Sequence, residues 1–145
     1  MMIVKRTLAL FALCLLLCSA CLPIVFAADS DNQGPGDPPV DWQIIQQANC
    51  SLAISGGEAS IRSNVRGTYG STTSCKIELK LQKRVLFWWS TVETWEKTQA
   101  DYQTSLNVSY PITSGKSYRA VAVLTVWNGS SSESTTRTTA TVEAP

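Results

Sequence analysis

The chain contains no histidine, and this absence removes most of the common catalytic and metal-binding chemistry. Serine or cysteine nucleophiles activated by histidine, histidine-bound zinc and histidine proton shuttles all need the imidazole ring. Acid–base catalysis would then depend on paired carboxylates, as in glycosidases. Glu93, Glu96 and Asp101 are close enough in sequence to be considered, but they stand in a polar stretch where surface charge is the ordinary interpretation. We therefore expect a protein that is not an enzyme.

One acidic segment resembles the start of a calcium-binding loop. Asp29 and Asp31 are followed by Gly34, as such a loop requires. The fifth position is Gln33, however, and the twelfth is Val40, where a bidentate glutamate is needed. The sequence therefore predicts no metal site, and no residues in it indicate a cofactor.

The first 27 residues predict export. Lys5 and Arg6 precede an apolar run over residues 8–26, and the small residue Ala27 follows it. A charged start, an apolar middle and a small-residue exit are typical of a secretory signal peptide. We expect cleavage after Ala27 and a secreted protein of 118 residues, which is enough for one domain.

Two alternatives to cleavage stay open. The apolar run is almost long enough to span a bilayer as an uncleaved anchor. Cys21 also follows Ser19 and Ala20, the small residues that a lipoprotein signal places before its lipid-bearing cysteine. Pro23 and the small-residue exit favour cleavage over both alternatives.

The charge balance gives no electrostatic reason to bind nucleic acid or an anionic membrane. The chain has 12 basic and 11 acidic residues, and removing Lys5 and Arg6 leaves 10 and 11. Both kinds of partner need clustered Lys and Arg. Lys80, Lys83 and Arg84 form a small basic cluster that is typical of a solvated strand end. We expect no nucleic-acid partner and no membrane contact except through the signal peptide.

The remaining sequence divides into a linker and one β domain. Residues 28–41 are acidic, rich in Gly and Pro and nearly free of large apolar side chains, which predicts a disordered linker. Residues 42–145 carry strand signals. The clearest alternation sets Cys75, Ile77, Leu79 and Leu81 against Lys76, Glu78, Lys80 and Gln82. Period two with charge on one side indicates a strand with one buried and one solvated face.

About seven such strands are separated by short turns, of which Gly56-Gly57 and Asn128-Gly129 are the clearest. The expected fold is all-β, an antiparallel sandwich of immunoglobulin-like or fibronectin type III-like kind. Cys50 and Cys75 are the cysteines left after removal of the signal peptide, and they open the first and third predicted strands at the same end. Exported cysteines commonly pair, so we expect a disulfide that closes a loop of about 25 residues and contributes roughly 3 kcal/mol.

Five tryptophans are more than one small core needs. Trp89 and Trp95 are expected to fill the core. Neighbours on a strand point to opposite faces, so one residue of the pair Trp88-Trp89 must face outward. If Trp88 is that residue and lies near Trp127, the two would form an aromatic platform able to stack on sugar rings. Otherwise Trp127 packs against a neighbouring strand.

The segment from Ile112 through Gly115 to Tyr118 resembles the start of the sixth strand in fibronectin type III modules. Those modules place an apolar residue six positions before, and a glycine three positions before, a corner tyrosine whose hydroxyl bonds to the upstream backbone. The whole chain also resembles small exported proteins of Gram-positive, clostridial-type bacteria. The residues that carry this second resemblance are the leader, Leu81-Gln82-Lys83, Trp89, Trp95 and residues 114–119.

The first resemblance implies a fold, and neither resemblance implies a catalytic residue. The leading functional expectation is an extracellular structural or adhesive module whose partner, a cell-surface glycan or a protein, stays open. The alternative is a carbohydrate-binding module that uses exposed tryptophans, with Trp88 and Trp127 as the candidate stacking residues.

Overall fold

The structure of the protein is a computed structural model that describes residues 43–145. The predicted signal peptide (1–27), the predicted linker (28–41) and Trp42 lie outside the described residues. The described chain is built of β-strands and turns. The strands are β1 Ile45–Ser55, β2 Glu58–Gly67, β3 Ser74–Val85, β4 Trp88–Gln99, β5 Gln103–Pro111, β6 Ser117–Asn128, β7 Ser131–Thr138 and β8 Val142–Glu143.

The strands form two antiparallel sheets. The first sheet has the order β1-β2-β5, and the second has the order β4-β3-β6-β7, with β8 paired to the start of β6. This arrangement confirms the expected all-β antiparallel sandwich, with eight strands where about seven were expected. Strands β7 and β8 both pair with β6 and are separated at Thr139, whose backbone N–H donates to the carbonyl of Ala120 and whose hydroxyl accepts the N–H of Ala120.

The core lies between the sheets and follows the predicted alternation. Inward residues of β3 and β6 are fully buried: Cys75, Ile77, Leu79, Leu81, Ala120, Ala122, Leu124 and Val126. Ile45, Ile61 and Val65 are buried on the facing sheet. On the outer face of β3, Lys76 lies 3.2 Å from Glu96. The sheet thus has one apolar face and one charged face, as the period of two requires.

The two predicted glycine turns form tight hairpins. Gly56 and Gly57 join β1 to β2 with φ of 60° and 79°, and Ser55 pairs directly with Glu58. Positive φ at both central residues is the geometry of the favoured two-residue hairpin, which glycine adopts without strain. Asn128 likewise pairs with Ser131 across the turn at Gly129.

Side chains of β7 form hydrogen bonds with the backbone of β1 in the opposite sheet. The carboxylate of Glu133 accepts hydrogen bonds from the backbone N–H groups of Gln43, Ile44 and Ile45 at 3.2, 2.8 and 2.7 Å. Further along the strand, the Nε of Arg137 donates to the carbonyl of Ala48 at 3.2 Å. These bonds hold the start of β1 against the opposite sheet, where no strand ladder connects the two.

The corner tyrosine has the expected geometry. Tyr118 is 2 % exposed, and its hydroxyl oxygen accepts the backbone N–H of Thr113 at 3.0 Å. Gly115 lies between them with a φ of 69°. The hydroxyl therefore closes the loop between β5 and β6 onto the end of the core.

Replacing Tyr118 by Phe is expected to lower the free energy of unfolding by about 1–2 kcal/mol, because the Thr113 N–H loses its acceptor. Urea unfolding followed by tryptophan fluorescence measures this change. Tyr69→Phe is the matched control, since Tyr69 is 81 % exposed and its hydroxyl loss is expected to change stability by less than about 0.5 kcal/mol. Equal stability of Tyr118→Phe and wild type would contradict the structural role of the corner.

Candidate functional site

The loop between β3 and β4 exposes three large apolar side chains in a row. Val85 and Trp88 form the last cross-strand pair, so Leu86 and Phe87 alone make the turn. Leu86 is 72 % exposed, Phe87 is 92 % exposed and Trp88 is 56 % exposed. We call these three residues the hairpin tip. Consecutive exposed apolar residues mark a contact surface more often than scattered ones do.

The hairpin tip also has a strained backbone conformation at Leu86. Leu86 has a φ of 55°, and within residues 43–145 it is the one non-glycine residue at positive φ. Favoured two-residue hairpins place glycine or asparagine at such a position, because a side chain there clashes with the backbone at a cost of about 1–2 kcal/mol. The tip therefore keeps an exposed leucine where glycine would fold better. A strained residue that is also exposed indicates a functional constraint.

Side-chain contacts among β3, β4 and β6 stabilise the strands next to the hairpin tip. Trp89 lies on the outer face of its sheet, where the guanidinium of Arg119 stands 4.3 Å from the ring centre. Arg119 also donates from Nε to the side-chain oxygen of Gln82 at 2.8 Å. This cation–π contact and hydrogen bond join β3, β4 and β6 directly beneath the loop. Arg84, the cross-strand partner of Trp89, is exposed.

The predicted core position is confirmed for Trp95 and is wrong for Trp89. Trp95 packs on the core and makes an edge-to-face contact with Tyr110, with ring centres 6.1 Å apart. Trp89 does not enter the core, because a bulge between Leu81 and Gln82 shifts the register of β4. That shift places Trp89 on the outer face beneath Arg119.

The predicted platform of Trp88 and Trp127 is wrong. Trp88 pairs with Val85 at one end of β3, and Trp127 pairs with Ser74 at the other end. At 3.3 Å per residue the two positions are about 36 Å apart. Trp127 is only half-exposed as well. Of the two candidate stacking residues, Trp88 alone belongs to the exposed apolar cluster.

The three carboxylates considered for catalysis are engaged separately. Glu96 pairs with Lys76 at 3.2 Å on the outer face of the sheet. Glu93 accepts the N–H of Thr94 at 3.0 Å, and Asp101 accepts the N–H of Tyr102 at 2.6 Å. They do not face one another across a cleft, which is the arrangement that carboxylate-based hydrolysis needs. Among residues 43–145, no three His, Cys, Asp or Glu side chains come together as metal ligands.

A polar cleft of about 420 Å³ runs along the edge of the sandwich between β4 and β5. Four of its lining residues bond to one another: Thr104 donates to the side-chain oxygen of Gln99 at 3.1 Å, and Lys97 donates to the carbonyl of Ser105 at 2.8 Å. No aromatic side chain lines this cleft. It is therefore a weaker candidate for a binding site than the hairpin tip.

The predicted disulfide is absent, and Cys50 and Cys75 are free thiols. Strand β1 begins five residues before Cys50, so this cysteine lies mid-strand and pairs with Ser63. Cys75, in contrast, contacts the backbone of Gly67, which lies four residues after Ser63 along β2. That offset corresponds to about 13 Å along the strand, whereas a disulfide needs Cα atoms within about 7 Å.

Both thiols are expected to resist modification in the folded protein. Burial raises the pKa of Cys50 from 9.0 to about 11. Burial also raises the pKa of Cys75, helped by the charge of Asp101 and opposed by a backbone hydrogen bond with Gly67. At pH 8 the thiolate fraction of Cys50 is then about 100-fold below that of an ordinary thiol, and thiolate is the reactive form.

Ellman's reagent tests this expectation at pH 8. The folded protein should react at least about 100-fold more slowly than the urea-unfolded protein, which should release two thiols. A raised thiol pKa means that the folded protein keeps a proton that the unfolded chain releases above pH 9. The free energy of unfolding should therefore also fall as the pH rises above 9. Cys50→Ala should reduce that fall. Fast reaction of the folded protein, or no thiols after unfolding, would contradict the structure.

Sequence reasoning missed Leu86 and Phe87. Trp88 was a candidate outward-facing residue, but no role was predicted for Leu86 or Phe87. The signal available in the sequence was the apolar pair Leu86-Phe87 at a turn between two charged strands, a position where Gly, Asn or Asp is commonly found. The described chain contains no helix long and apolar enough to cross a bilayer. Comparison with known proteins finds no matching family and no similar curated protein.

Proposed function

We propose that the chain is an exported, non-enzymatic binding module that attaches to an extracellular surface through the hairpin tip. The observation that carries this proposal is the exposed run Leu86-Phe87-Trp88, with Leu86 held at a φ of 55°. An exposed apolar turn lowers solubility and a strained one lowers stability, so a contact made by the side chains is the simplest reason for both. Export, and the resemblance to bacterial exported proteins, stay predictions from the sequence.

The position of the hairpin tip supports this role. β3 begins beside the loop that follows Gly67 and ends at the tip, whereas the first described residues lie against Gly67 and Thr68. The tip therefore projects from the end of the sandwich opposite to residue 43. It can meet a surface without obstruction from the residues at which the described chain begins.

A loop replacement separates binding from folding. Leu86→Gly together with Phe87→Ser installs ordinary turn residues and removes the two most exposed apolar side chains. We expect the variant to be more stable than wild type by about 1 kcal/mol, because the leucine strain disappears. We also expect it to lose binding to every surface that the wild type binds.

The surfaces to be tested are purified cell-wall glycan, a glycan array, and neutral and anionic lipid vesicles, each probed with the exported protein. Tyr69→Ser is the matched control, because Tyr69 is an exposed aromatic residue at the opposite end of the sandwich. Wild-type binding that the loop replacement abolishes and Tyr69→Ser retains would support the proposal. Wild-type binding to none of these surfaces, or equal binding by the loop variant, would overturn it.

Carbohydrate binding is the second candidate, and the exposure of Trp88 is the observation that favours it. Trp88 is 56 % exposed, so one sugar ring can stack on it without help from Trp127. Under this alternative Trp88→Ala abolishes glycan binding while Phe87→Ser leaves it largely intact. Loss with Phe87→Ser alone would favour an apolar contact instead.

A further inference from the structure

We propose that the surface bound by the hairpin tip is an anionic lipid bilayer, with Leu86 and Phe87 inserted at the boundary between headgroups and acyl chains. This inference rests on the proposed function and names its partner. It also departs from the expectation that the membrane is contacted only through the signal peptide. That expectation considered the basic cluster of Lys80, Lys83 and Arg84 without the apolar loop that the structure places beside it.

The shape of the hairpin tip suits lipid better than a preformed pocket. Leu86 and Phe87 stand at the apex of a convex two-residue turn, and Phe87 is 92 % exposed. Arg84 lies two positions before Leu86, which at 3.3 Å per residue is about 7 Å along the strand. Interfacial apolar faces enter a bilayer by roughly 5–10 Å. Inserting the tip to that depth would bring the guanidinium of Arg84 to the level of the lipid phosphates.

The side chain next to the apex has the matching amphipathic character. Trp88 is 56 % exposed and follows Phe87 directly on β4. Tryptophan is enriched at membrane interfaces because its ring is apolar while its N–H can donate to water or headgroups. The order of residues from the apex inward is therefore apolar, aromatic and basic, which follows the polarity gradient of a bilayer surface.

The charge of the hairpin has the sign that an anionic surface attracts. Residues 80–93 contain Lys80, Lys83 and Arg84 against the single carboxylate of Glu93. Each Lys or Arg near an anionic surface strengthens binding by about fivefold. Glu58 and Glu143 stand at the same end of the sandwich on other strands. We therefore expect binding to need insertion of the apolar tip as well as charge.

Vesicle co-sedimentation of the exported protein tests both requirements. We expect binding to vesicles that contain equal parts of phosphatidylcholine and phosphatidylglycerol, and at least about tenfold weaker binding to phosphatidylcholine alone. Phe87→Ser should weaken binding to the anionic vesicles at least about tenfold through lost apolar burial. Lys83→Gln with Arg84→Gln should weaken it about tenfold or more, and added salt should weaken it as well. Tyr69→Ser should bind like wild type.

Lipids brominated along the acyl chain test insertion directly, because bromine quenches nearby tryptophan fluorescence. We expect quenching in the wild type that Trp88→Phe removes. No wild-type binding to any vesicle, combined with tip-dependent binding to a glycan, would overturn the lipid inference and leave the proposed function standing. Absence of binding to every surface would overturn both. Unchanged vesicle binding by Phe87→Ser would also overturn the lipid inference.

Discussion

Replacing Glu133 by Ala is expected to lower the free energy of unfolding by about 3 kcal/mol at pH 7. The carboxylate accepts three backbone N–H groups at the start of β1, and two of these bonds, to Ile44 and Ile45, are shorter than 3 Å and partly buried. Hydrogen bonds to a charged acceptor are worth more than neutral ones, and the N–H groups left behind lose their partner. Urea unfolding followed by tryptophan fluorescence measures the loss.

The same carboxylate makes stability depend on pH. Burial alone would raise the pKa of Glu133, but the backbone N–H donors of Ile45, Ile44 and Gln43 outweigh it and lower the pKa below 4.5. A lowered pKa means that the stabilisation is complete above the pKa of the unfolded chain and is lost as pH falls through the folded value.

Wild-type protein should therefore lose stability below about pH 4.5 more steeply than Glu133→Ala does. Glu133→Gln keeps one acceptor oxygen without the charge, so it should fall between wild type and Glu133→Ala at pH 7. Glu96→Ala is the control for general loss of a carboxylate, because Glu96 makes an exposed ion pair with Lys76, and exposed ion pairs contribute little to stability. Equal effects of Glu96→Ala and Glu133→Ala would show that Glu133 does not hold β1.

Gly67→Ala is expected to cost about 3 kcal/mol for a steric reason. A Cβ on Gly67 would lie 2.6 Å from Cγ1 of the buried Val126 and would also overlap the side chain of Thr72. The backbone cannot easily retreat, because the N–H of Gly67 donates to the carbonyl of Tyr102 at 2.7 Å. Overpacking of this kind commonly costs 1–3 kcal/mol or somewhat more. Thermal or urea unfolding measures the change.

Adding Thr72→Ala to Gly67→Ala should restore part of the loss, because it removes two of the three atoms that the new methyl group meets. The coupling between the two substitutions measures the clash directly. Gly57→Ala serves as a contrast: nothing lies within 4 Å of its added methyl group, and only its φ of 79° opposes the change. That variant should lose about 1–2 kcal/mol. A loss from Gly67→Ala no larger than that from Gly57→Ala would contradict the close packing.

Much of the fold could be predicted from the sequence because local signals agreed with the final packing. The alternation over residues 75–82 and the glycines at 56, 57 and 129 specified strands and turns without any long-range information. The spacing of Gly115 and Tyr118 identified the corner, and the structure confirms its hydrogen bond. These features depend on neighbours in the chain, which a single sequence displays directly.

The site was harder to predict because its features depend on register. The separation of Trp88 from Trp127 and the outward position of Trp89 follow from cross-strand pairing and one bulge. The offset between Cys50 and Cys75 follows from β1 starting at Ile45, although its polar start resembles a loop. Glu133 reaches the start of β1 across about ninety residues of sequence, and no local pattern indicates that contact.

Site-directed photo-crosslinking tests whether the hairpin tip makes the contact with the bound surface. A benzophenone amino acid replaces Phe87 in one variant and Tyr69 in another, and each exported variant is irradiated on the lipid or glycan surface that the wild type binds. Both positions are exposed aromatic residues at opposite ends of the sandwich. We expect covalent adducts from position 87 and none above background from position 69. Equal adducts from both positions, or adducts from position 69 alone, would contradict that expectation.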